Sequence, residues 1–150
     1  MSVRFIEAQD KLAIIDLARV MHSESPAYRE FPYQSAKVGQ LFDLCLKHED
    51  WCCLIAEKNG GAIGFMAFGL VEMLFCDLKT VDDLALYILP EHRGGVDGAR
   101  MVRMAVQWAI ACQASEVRLG VTTEIDNSRV AQFLGRLGFS HTGELMTLKI

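Results

Sequence analysis

Apolar side chains recur every three to four residues in four stretches of the chain, which predicts four amphipathic helices. Alternating or continuous apolar runs between these stretches predict six strands. The predicted helices begin near Asp10, Ser35, Gly98 and Asn127. The predicted strands cover 3–7, 51–57, 62–75, 82–89, 116–122 and 144–150. The order β-α-α-β-β-β-α-β-α-β predicts an α/β fold with an antiparallel front half and a βαβ back half.

Length and composition indicate which class of protein the chain belongs to and argue against some kinds of partner. A chain of 150 residues with 51% hydrophobic and 23% charged residues predicts one folded domain over 1–150. The net charge of −4 argues against a nucleic-acid partner. The first ten residues hold no apolar signal segment, and no run reaches the roughly 18 apolar residues of a membrane span, so we expect a cytoplasmic protein without a membrane partner. The five cysteines have no metal-binding spacing, which predicts reduced thiols and no metal site.

The strongest local pattern is the segment 87–99, Tyr-Ile-Leu-Pro-Glu-His-Arg-Gly-Gly-Val-Asp-Gly-Ala. It predicts a strand that runs through a glycine-rich turn into a helix. The first turn of a helix leaves backbone N–H groups unpaired, and glycines let a ligand approach them closely. Such a turn suits a diphosphate, although an ordinary tight turn would show the same glycines. The spacing matches neither a P-loop nor a dinucleotide-binding fingerprint.

These residues resemble the pyrophosphate motif of the GNAT family of N-acetyltransferases, [Q/R]xxGx[G/A] after a strand that ends in a Val-x-Pro-like sequence. Arg93 falls on the Q/R position and Gly98 on the final position, while Val96 replaces the middle glycine. Asp97 is unusual beside phosphate oxygens, and capping of the helix is its alternative role. The segment 127–139 resembles the late motif Asn-x-x-Ala-x-x-x-Tyr-x-x-x-Gly-Phe, with Leu134 at the tyrosine position.

The resemblance implies a GNAT fold, with a mixed, mostly antiparallel sheet, a splayed pair of parallel strands and about four helices. It also implies acetyl-CoA as cosubstrate, with pantetheine between strands 82–89 and 116–122. The backbone of Ile88 would pair with the pantetheine amides and polarise the thioester carbonyl. The implied cofactor-binding residues are Tyr87, Ile88, Arg93, Gly94, Gly95, Val96, Asp97, Gly98, Ala99 and Asn127. A plain helix cap is the alternative role of Asn127.

Members of the family catalyse direct attack of an amine on the thioester in a ternary complex, which requires a base. Glu72 and Asp82 rank equally for this role. Glu72 lies on the preceding predicted strand, and strand alternation predicts that Asp82 shares the face of Ile88. Asp83, expected on the opposite face, ranks below them. Since Leu134 cannot supply a proton, the acid is Tyr87 or a group of the 22–33 loop, or the thiolate departs unassisted.

The implied function is N-acetyltransfer to a primary amine of a small molecule or protein, in a small single-domain member of phage or bacterial type. Val96, Asp97 and Leu134 motivate an alternative, a non-catalytic or weakly active acyl-CoA-binding module. A modifier of tRNA or nucleobase amines is the second alternative. The acceptor is expected near the 22–33 loop, and dimers are common in the family, so a homodimer is one expected state. Gly98→Glu is expected to abolish coenzyme A binding and leave the fold largely intact.

Overall fold

The structure is a computed structural model that describes residues 2–150. These residues form four helices, five strands and two short 3₁₀ turns, Ala8–Asp10 and Pro90–His92. The helices are α1 (Lys11–Glu24), α2 (Ser35–Lys47), α3 (Asp97–Ala111) and α4 (Asn127–Arg136). The strands are β1 (Ser2–Phe5), β2 (Trp51–Lys58), β3 (Gly61–Glu72), β4 (Lys79–Ile88) and β5 (Glu116–Arg118). The predicted α/β architecture, with a mixed and mostly antiparallel sheet, is confirmed.

The sheet follows the chain in the order β1-β2-β3-β4-β5. The first four strands are antiparallel neighbours, and β4 and β5 are parallel. Asn59 and Gly60 join β2 to β3 with φ of 53° and 78°, because a two-residue hairpin turn of this kind needs positive φ at both positions. β4 and β5 are joined by α3, which is the crossover that a parallel pair requires.

Two hydrophobic cores lie on opposite faces of the sheet. One contains Leu54, Met66 and Phe68 and is covered by α3 and α4. The other contains Ile55, Phe65 and Tyr87 and is covered by α1 and α2. Successive side chains of β2 and β3, in the middle of the sheet, point alternately into the two cores. Both faces of these strands are therefore buried, which accounts for their nearly continuous apolar runs.

The predicted last strand, 144–150, is wrong. Residues 139–150 have no regular secondary structure, and every side chain from 140 onward is exposed. The alternation of this segment suits a strand, but a strand also needs the backbone of a neighbour, and β5 pairs over three residues only. The predicted 116–122 strand is likewise shortened to β5. The tail contacts the body through the Lys149–Glu30 ion pair at 2.7 Å.

Asp10 is the N-cap residue of α1, but its carboxylate makes no cap hydrogen bond and accepts hydrogen bonds from Arg4 and from the Glu7 N–H. Cys76 is exposed, unlike the buried Cys45, Cys52 and Cys53, and all five cysteines are free thiols. Burial raises the pKa of Cys45 to about 11 and of Cys52 to about 12, so these thiols stay protonated and act as packing groups. Across residues 2–150, no helix is long and apolar enough to cross a membrane.

Candidate functional site

The parallel strands β4 and β5 separate after a short pairing. Thr80, Val81 and Asp82 pair with Glu116, Val117 and Arg118, and the pairing ends there. At the next position the backbone N–H of Gly120 donates to the Asp83 carboxylate at 2.8 Å, so a side chain takes the place of a ladder bond. From Asp83 to Ile88 the β5-facing edge of β4 therefore has no strand partner among the described residues. This splayed pair is the geometry that the sequence comparison implied.

A β-bulge in β4 determines on which face of the sheet the Asp82 and Asp83 side chains lie. Ala67 pairs with Ala85 and Phe68 with Asp83, so Leu84 is the extra residue. The inserted residue reverses the alternation of side chains on either side of it. Asp83 therefore shares the face of Ile88, and Asp82 lies on the opposite face with Tyr87. The prediction that Asp82 shares the face of Ile88 is wrong, because simple alternation takes no account of the bulge.

The three candidate bases consequently lie in different places. Glu72 is exposed and pairs with Lys79, nine residues along β4 from Ile88, or roughly 30 Å at about 3.3 Å per residue. Asp82 accepts a hydrogen bond from the Thr80 hydroxyl at 2.7 Å. Asp83 lies at the point where the strands separate, and burial raises the pKa of its carboxyl, although the Gly120 hydrogen bond opposes this shift. The structure brings neither Glu72 nor Asp82 toward Ile88.

The glycine-rich turn leads from the open edge of β4 to the N-terminus of α3. Gly94 has φ of +86°, which a side chain would strain, and Val96 is the N-cap residue. The first helical backbone bond is Arg100 N–H to Val96 O, at 2.9 Å. The N–H groups of the residues between them have no helical acceptor, so the turn presents donors and the positive end of the helix dipole. Gly95, within the turn, is exposed, and Ala99, in the first turn of α3, is half-buried.

Gly98 lies between the two elements that flank the turn. A Cβ at this position would come within 3.3 Å of the Ile88 side chain and 3.5 Å of the Phe133 ring. The site can thus accept at most a small side chain, and a glutamate would place its carboxylate in the apolar contact between β4 and α4. In contrast to the expectation from the sequence, we therefore expect Gly98→Glu to destabilise the fold.

Asp97 is buried at the start of α3, with 3% of its surface exposed. It does not cap the helix, since the N-cap is Val96 and no side-chain cap hydrogen bond is formed. Its Oδ1 is buried without a hydrogen-bond partner, and the Arg100 guanidinium is 3.7 Å away. A carboxylate with an unsatisfied oxygen at this depth is costly for a structure to keep.

Arg93 turns away from the glycine-rich turn and forms a cluster with two other side chains. Its guanidinium makes a bidentate ion pair with Glu24, at 2.6 and 2.7 Å, and its Nε donates to the Ile88 carbonyl at 2.9 Å. The Tyr87 hydroxyl donates to the same Glu24 carboxylate at 2.6 Å. The cluster joins the end of α1 to the end of β4. Glu24 could not be predicted as a member of this cluster from the sequence, because more than sixty residues separate it from each of its two partners.

This cluster sets the protonation of its members. The Arg93 hydrogen bonds hold the pKa of Glu24 below its ordinary value of 4.5. Burial raises the pKa of the Tyr87 phenol, and its hydrogen bond to Glu24 raises it further. Tyr87 therefore keeps its proton and directs it to a carboxylate that is already charged, which makes it a poor proton donor to a ligand.

The N-terminus of α4 lies beside the glycine-rich turn. Asn127 is the first residue of α4, and Asp126, with φ of 50°, is its N-cap residue. The helix-cap role of Asn127 is wrong, since Asp126 is the N-cap residue and no side-chain cap hydrogen bond is formed, and the Asn127 Oδ1 is buried without a hydrogen-bond partner. Leu134, at the position of the motif tyrosine, is buried in the core beneath α3 and α4. Arg129, which the motif comparison did not use, approaches Gly94.

The segment after α1 contacts residues 122 and 123, which follow β5 at the gap between the separated strands β4 and β5. Ser25 is fully buried and donates its hydroxyl to the Thr123 carbonyl at 2.5 Å. The Tyr28 hydroxyl lies 3.5 Å from the Thr122 hydroxyl, just beyond the point where β5 leaves β4. His22 Nε2 donates to the Phe31 carbonyl at 2.7 Å. A mostly apolar groove of about 550 Å³ adjoins this segment, and its lining includes Met21, Tyr28, Phe31 and Tyr33.

The residues of the turn fit coenzyme A on two observations. Backbone donors and a left-handed glycine stand where a diphosphate needs close approach, and Asn127 offers a buried amide oxygen without a partner. The open edge of β4 supplies backbone groups for an amide-containing arm. The comparison with sequence families is decisive, because residues 17–139 match the acetyltransferase (GNAT) family. The chain belongs to the GNAT family.

Individual relatives agree with this family. An uncharacterized N-acetyltransferase of Archaeoglobus fulgidus is 27% identical over 107 residues, which cover 70% of this chain and 73% of the relative. A crystal structure of the BH1408 protein from Bacillus halodurans covers all of both chains with a TM-score of 0.80 and 20% identity. AAC(6')-Iy, solved with a bisubstrate analogue of coenzyme A and acetylneamine, covers 99% of this chain and 97% of its own, with a TM-score of 0.76 and 17% identity. These structures share the fold.

Proposed function

We propose that this protein is an acetyl-CoA-dependent N-acetyltransferase that transfers an acetyl group to a primary amine of a small molecule or protein. The observation that carries the proposal is the open edge of β4, from Asp83 to Ile88, which leads directly into the N-terminus of α3. Solved relatives with this fold include a 6'-N-acetyltransferase of aminoglycosides and a ribosomal-protein-alanine N-acetyltransferase, whose acceptors are amines. Residues 1–150 act as a single domain in this proposal.

Each part of the site has a proposed role. The N–H groups at the start of α3 and the glycines of the turn hold the diphosphate, and Asn127 and the backbone of Ile88 hold the pantetheine arm. Arg93, through its hydrogen bond to the Ile88 carbonyl, fixes the strand end. Acetyl-CoA supplies an acetyl thioester when it is bound. The acceptor approaches from the Tyr28 side of the gap.

Asp83 is the proposed base. It lies on the Ile88 face at the closed end of the gap, and a carboxyl whose pKa is raised by burial is a better proton acceptor than an exposed one. Its Oδ1 is held by Gly120, which fixes the orientation of the carboxylate. Asp83 accepts the proton that the acceptor ammonium must lose before attack.

Tyr28 is the proposed acid. Leu134 has no proton to give, and Tyr87 directs its proton to Glu24. The Tyr28 hydroxyl lies 3.5 Å from the Thr122 hydroxyl, beside the gap between β4 and β5. Because Tyr28 is 42% exposed, the sulfur of a bound ligand can also approach this hydroxyl. It donates its proton at the departing sulfur.

Two measurements test the proposal in sequence. Millimolar acetyl-CoA should raise the melting temperature, because a ligand that binds only the folded state stabilises it. Release of the coenzyme A thiol, followed with a chromogenic disulfide and a panel of primary amines, should then identify acceptors. Protection without turnover by any amine would favour the alternative, a non-catalytic acyl-CoA-binding module, which the burial of Leu134 at the usual acid position supports. An unchanged melting temperature would contradict both functions.

A further inference from the structure

Arg93 occupies the position at which the family motif has a glutamine or arginine, but each of its three guanidinium nitrogens already donates a hydrogen bond within the protein. Two guanidinium nitrogens bind Glu24 and the third donates to the Ile88 carbonyl. The Arg93 side chain is 30% exposed and the Glu24 side chain 27%, so the pair is shielded from much of the solvent. Moving Arg93 to a phosphate would leave Glu24 and the Tyr87 hydroxyl without their cation. The turn therefore needs its positive side chain from elsewhere.

Arg129 is placed to provide it. Its Nη2 lies 3.6 Å from the position that a Cβ on Gly94 would take, so the guanidinium stands directly beside the turn. Within residues 2–150, no carboxylate oxygen lies within ion-pair distance of this guanidinium, in contrast to Arg93. Arg129 is in the first turn of α4, two residues after Asn127, whose amide oxygen is also without a partner. Arg129 thus brings a guanidinium without a carboxylate partner among the described residues to the turn.

Asp97 places a negative charge beside the turn, which a cation such as Arg129 counteracts. The N-terminus of α3 carries about half a positive charge, which the full negative charge of one carboxylate more than cancels. The Asp97 Oδ2 lies 3.9 Å from the position of a Cβ on Gly95, so the carboxylate is next to the turn, and its Oδ1 has no partner. Arg100 is its nearest cation, at 3.7 Å, and is half exposed. Arg100 offsets part of the Asp97 charge, and Arg129 adds a further positive charge directly beside the turn, where a diphosphate would lie.

We propose that Arg129 is the side chain that binds the diphosphate of acetyl-CoA at the 93–98 turn, and that Asp97 opposes it and limits the affinity. The assignment rests on the proposed acetyl-CoA binding, and it replaces Arg93 as the cation of the turn. The charge-assisted hydrogen bonds between a guanidinium and phosphate oxygens are the chemistry that recognises the ligand.

Calorimetric titration with acetyl-CoA tests the assignment on the purified protein without any acceptor. Arg129→Gln should weaken binding about tenfold or more, since a hydrogen bond between charged groups is worth at least that factor. It should also make the affinity less dependent on salt, because one ionic contact is lost. Arg136→Gln is the matched control, since Arg136 is an exposed arginine at the other end of α4, about 10 Å along the helix at 1.5 Å per residue. It should bind like the wild type.

Two further titrations make the assignment specific. Dephospho-CoA, which keeps the diphosphate and lacks the 3′-phosphate, should lose affinity for Arg129→Gln by the same factor as acetyl-CoA. A loss confined to the ligand with the 3′-phosphate would overturn the diphosphate assignment. Asp97→Asn, which keeps the size of the side chain, should bind acetyl-CoA severalfold more tightly than the wild type, and equal or weaker binding would overturn the role of Asp97.

The outcomes separate this assignment from the function on which it rests. A wild type that binds acetyl-CoA while Arg129→Gln binds equally well would overturn the assignment alone. A wild type that shows no binding would overturn the proposed function and the assignment with it. Melting curves without ligand provide the folding check, because Arg129 is exposed and its replacement should leave the melting temperature unchanged.

Discussion

The Glu24–Arg93–Tyr87 cluster makes a quantitative prediction about stability. Glu24→Gln removes the negative charge from a carboxylate that accepts three hydrogen bonds, at 2.6, 2.6 and 2.7 Å. Two of these come from a charged donor, and breaking such a partly buried pair costs about 2 kcal/mol at pH 7. For a chain of this length, a loss of about 2 kcal/mol lowers the melting temperature by roughly 4–8 °C.

The pH dependence of the effect follows from the lowered pKa of Glu24. The carboxylate is charged in the folded protein at pH values where the unfolded chain, with a pKa near 4.5, has begun to bind protons. Its contribution to the free energy of unfolding is therefore fully present above about pH 4.5 and is lost as the pH falls through the folded-state pKa. The difference between wild type and Glu24→Gln should be constant from pH 7 to pH 5 and then shrink on further acidification.

Urea unfolding at a series of pH values between 7 and 3 measures this difference directly. Glu30→Gln is the matched control, because Glu30 pairs with Lys149 at 2.7 Å but both side chains are largely exposed. A surface pair of this kind contributes little, so the control should unfold like the wild type. The reasoning is refuted if the two variants lose the same free energy of unfolding, or if the Glu24→Gln difference stays constant down to pH 3.

Three further predictions concern the site. Asp83→Asn should lower kcat about 100-fold or more and remove the acidic limb of the pH–rate profile while the KM for acetyl-CoA is kept, and a larger effect of Asp82→Asn would move the base to the other face. Tyr28→Phe should lower kcat in the thiol-release assay, whereas Tyr33→Phe should not; equal rates for both variants would exclude Tyr28 as the acid. Gly98→Ala should melt near the wild type and Gly98→Glu well below it by circular dichroism, because only a small side chain fits there, so equal melting temperatures would contradict the contact with Phe133.

The elements of the fold could be predicted because their determinants are local. Helices α1 to α4 follow from apolar spacing, and the β2–β3 turn follows from Asn59 and Gly60, which adopt positive φ. The bulge at Leu84 could not be predicted, since it depends on the register between β3 and β4 and leaves no mark in the alternation of Asp82 and Asp83. The missing last strand has the same origin, because strand formation at 144–150 depends on a neighbouring edge that β5 does not provide.

The candidate site likewise has features that contiguous residues predict and features that depend on contacts between distant residues. The glycine-rich turn and the start of α4 are each predictable from contiguous residues, and the structure packs α4 against the turn through Arg129 and Phe133. The role of Arg93 was assigned from its position in the motif, whereas its contacts depend on Glu24, an acidic residue that no spacing rule connects with it. Arg129 could not be predicted as a site residue, since only the packing of α4 against the turn brings its guanidinium to Gly94.

Asp83 links the architecture of the gap to its chemistry. Its Oδ1 accepts the Gly120 N–H and so ends the pairing of β4 with β5, while its Oδ2 makes no hydrogen bond to another residue in the described part of the chain. One oxygen thus holds the strands at the closed end of the gap, and the other remains available for a proton. The Gly120 hydrogen bond at this point lowers the pKa of the Asp83 carboxyl, but burial raises it by more, so the pKa stays above its ordinary value. A replacement that keeps the Gly120 bond, such as asparagine, therefore separates the two roles, since it preserves the strand separation and removes the proposed base.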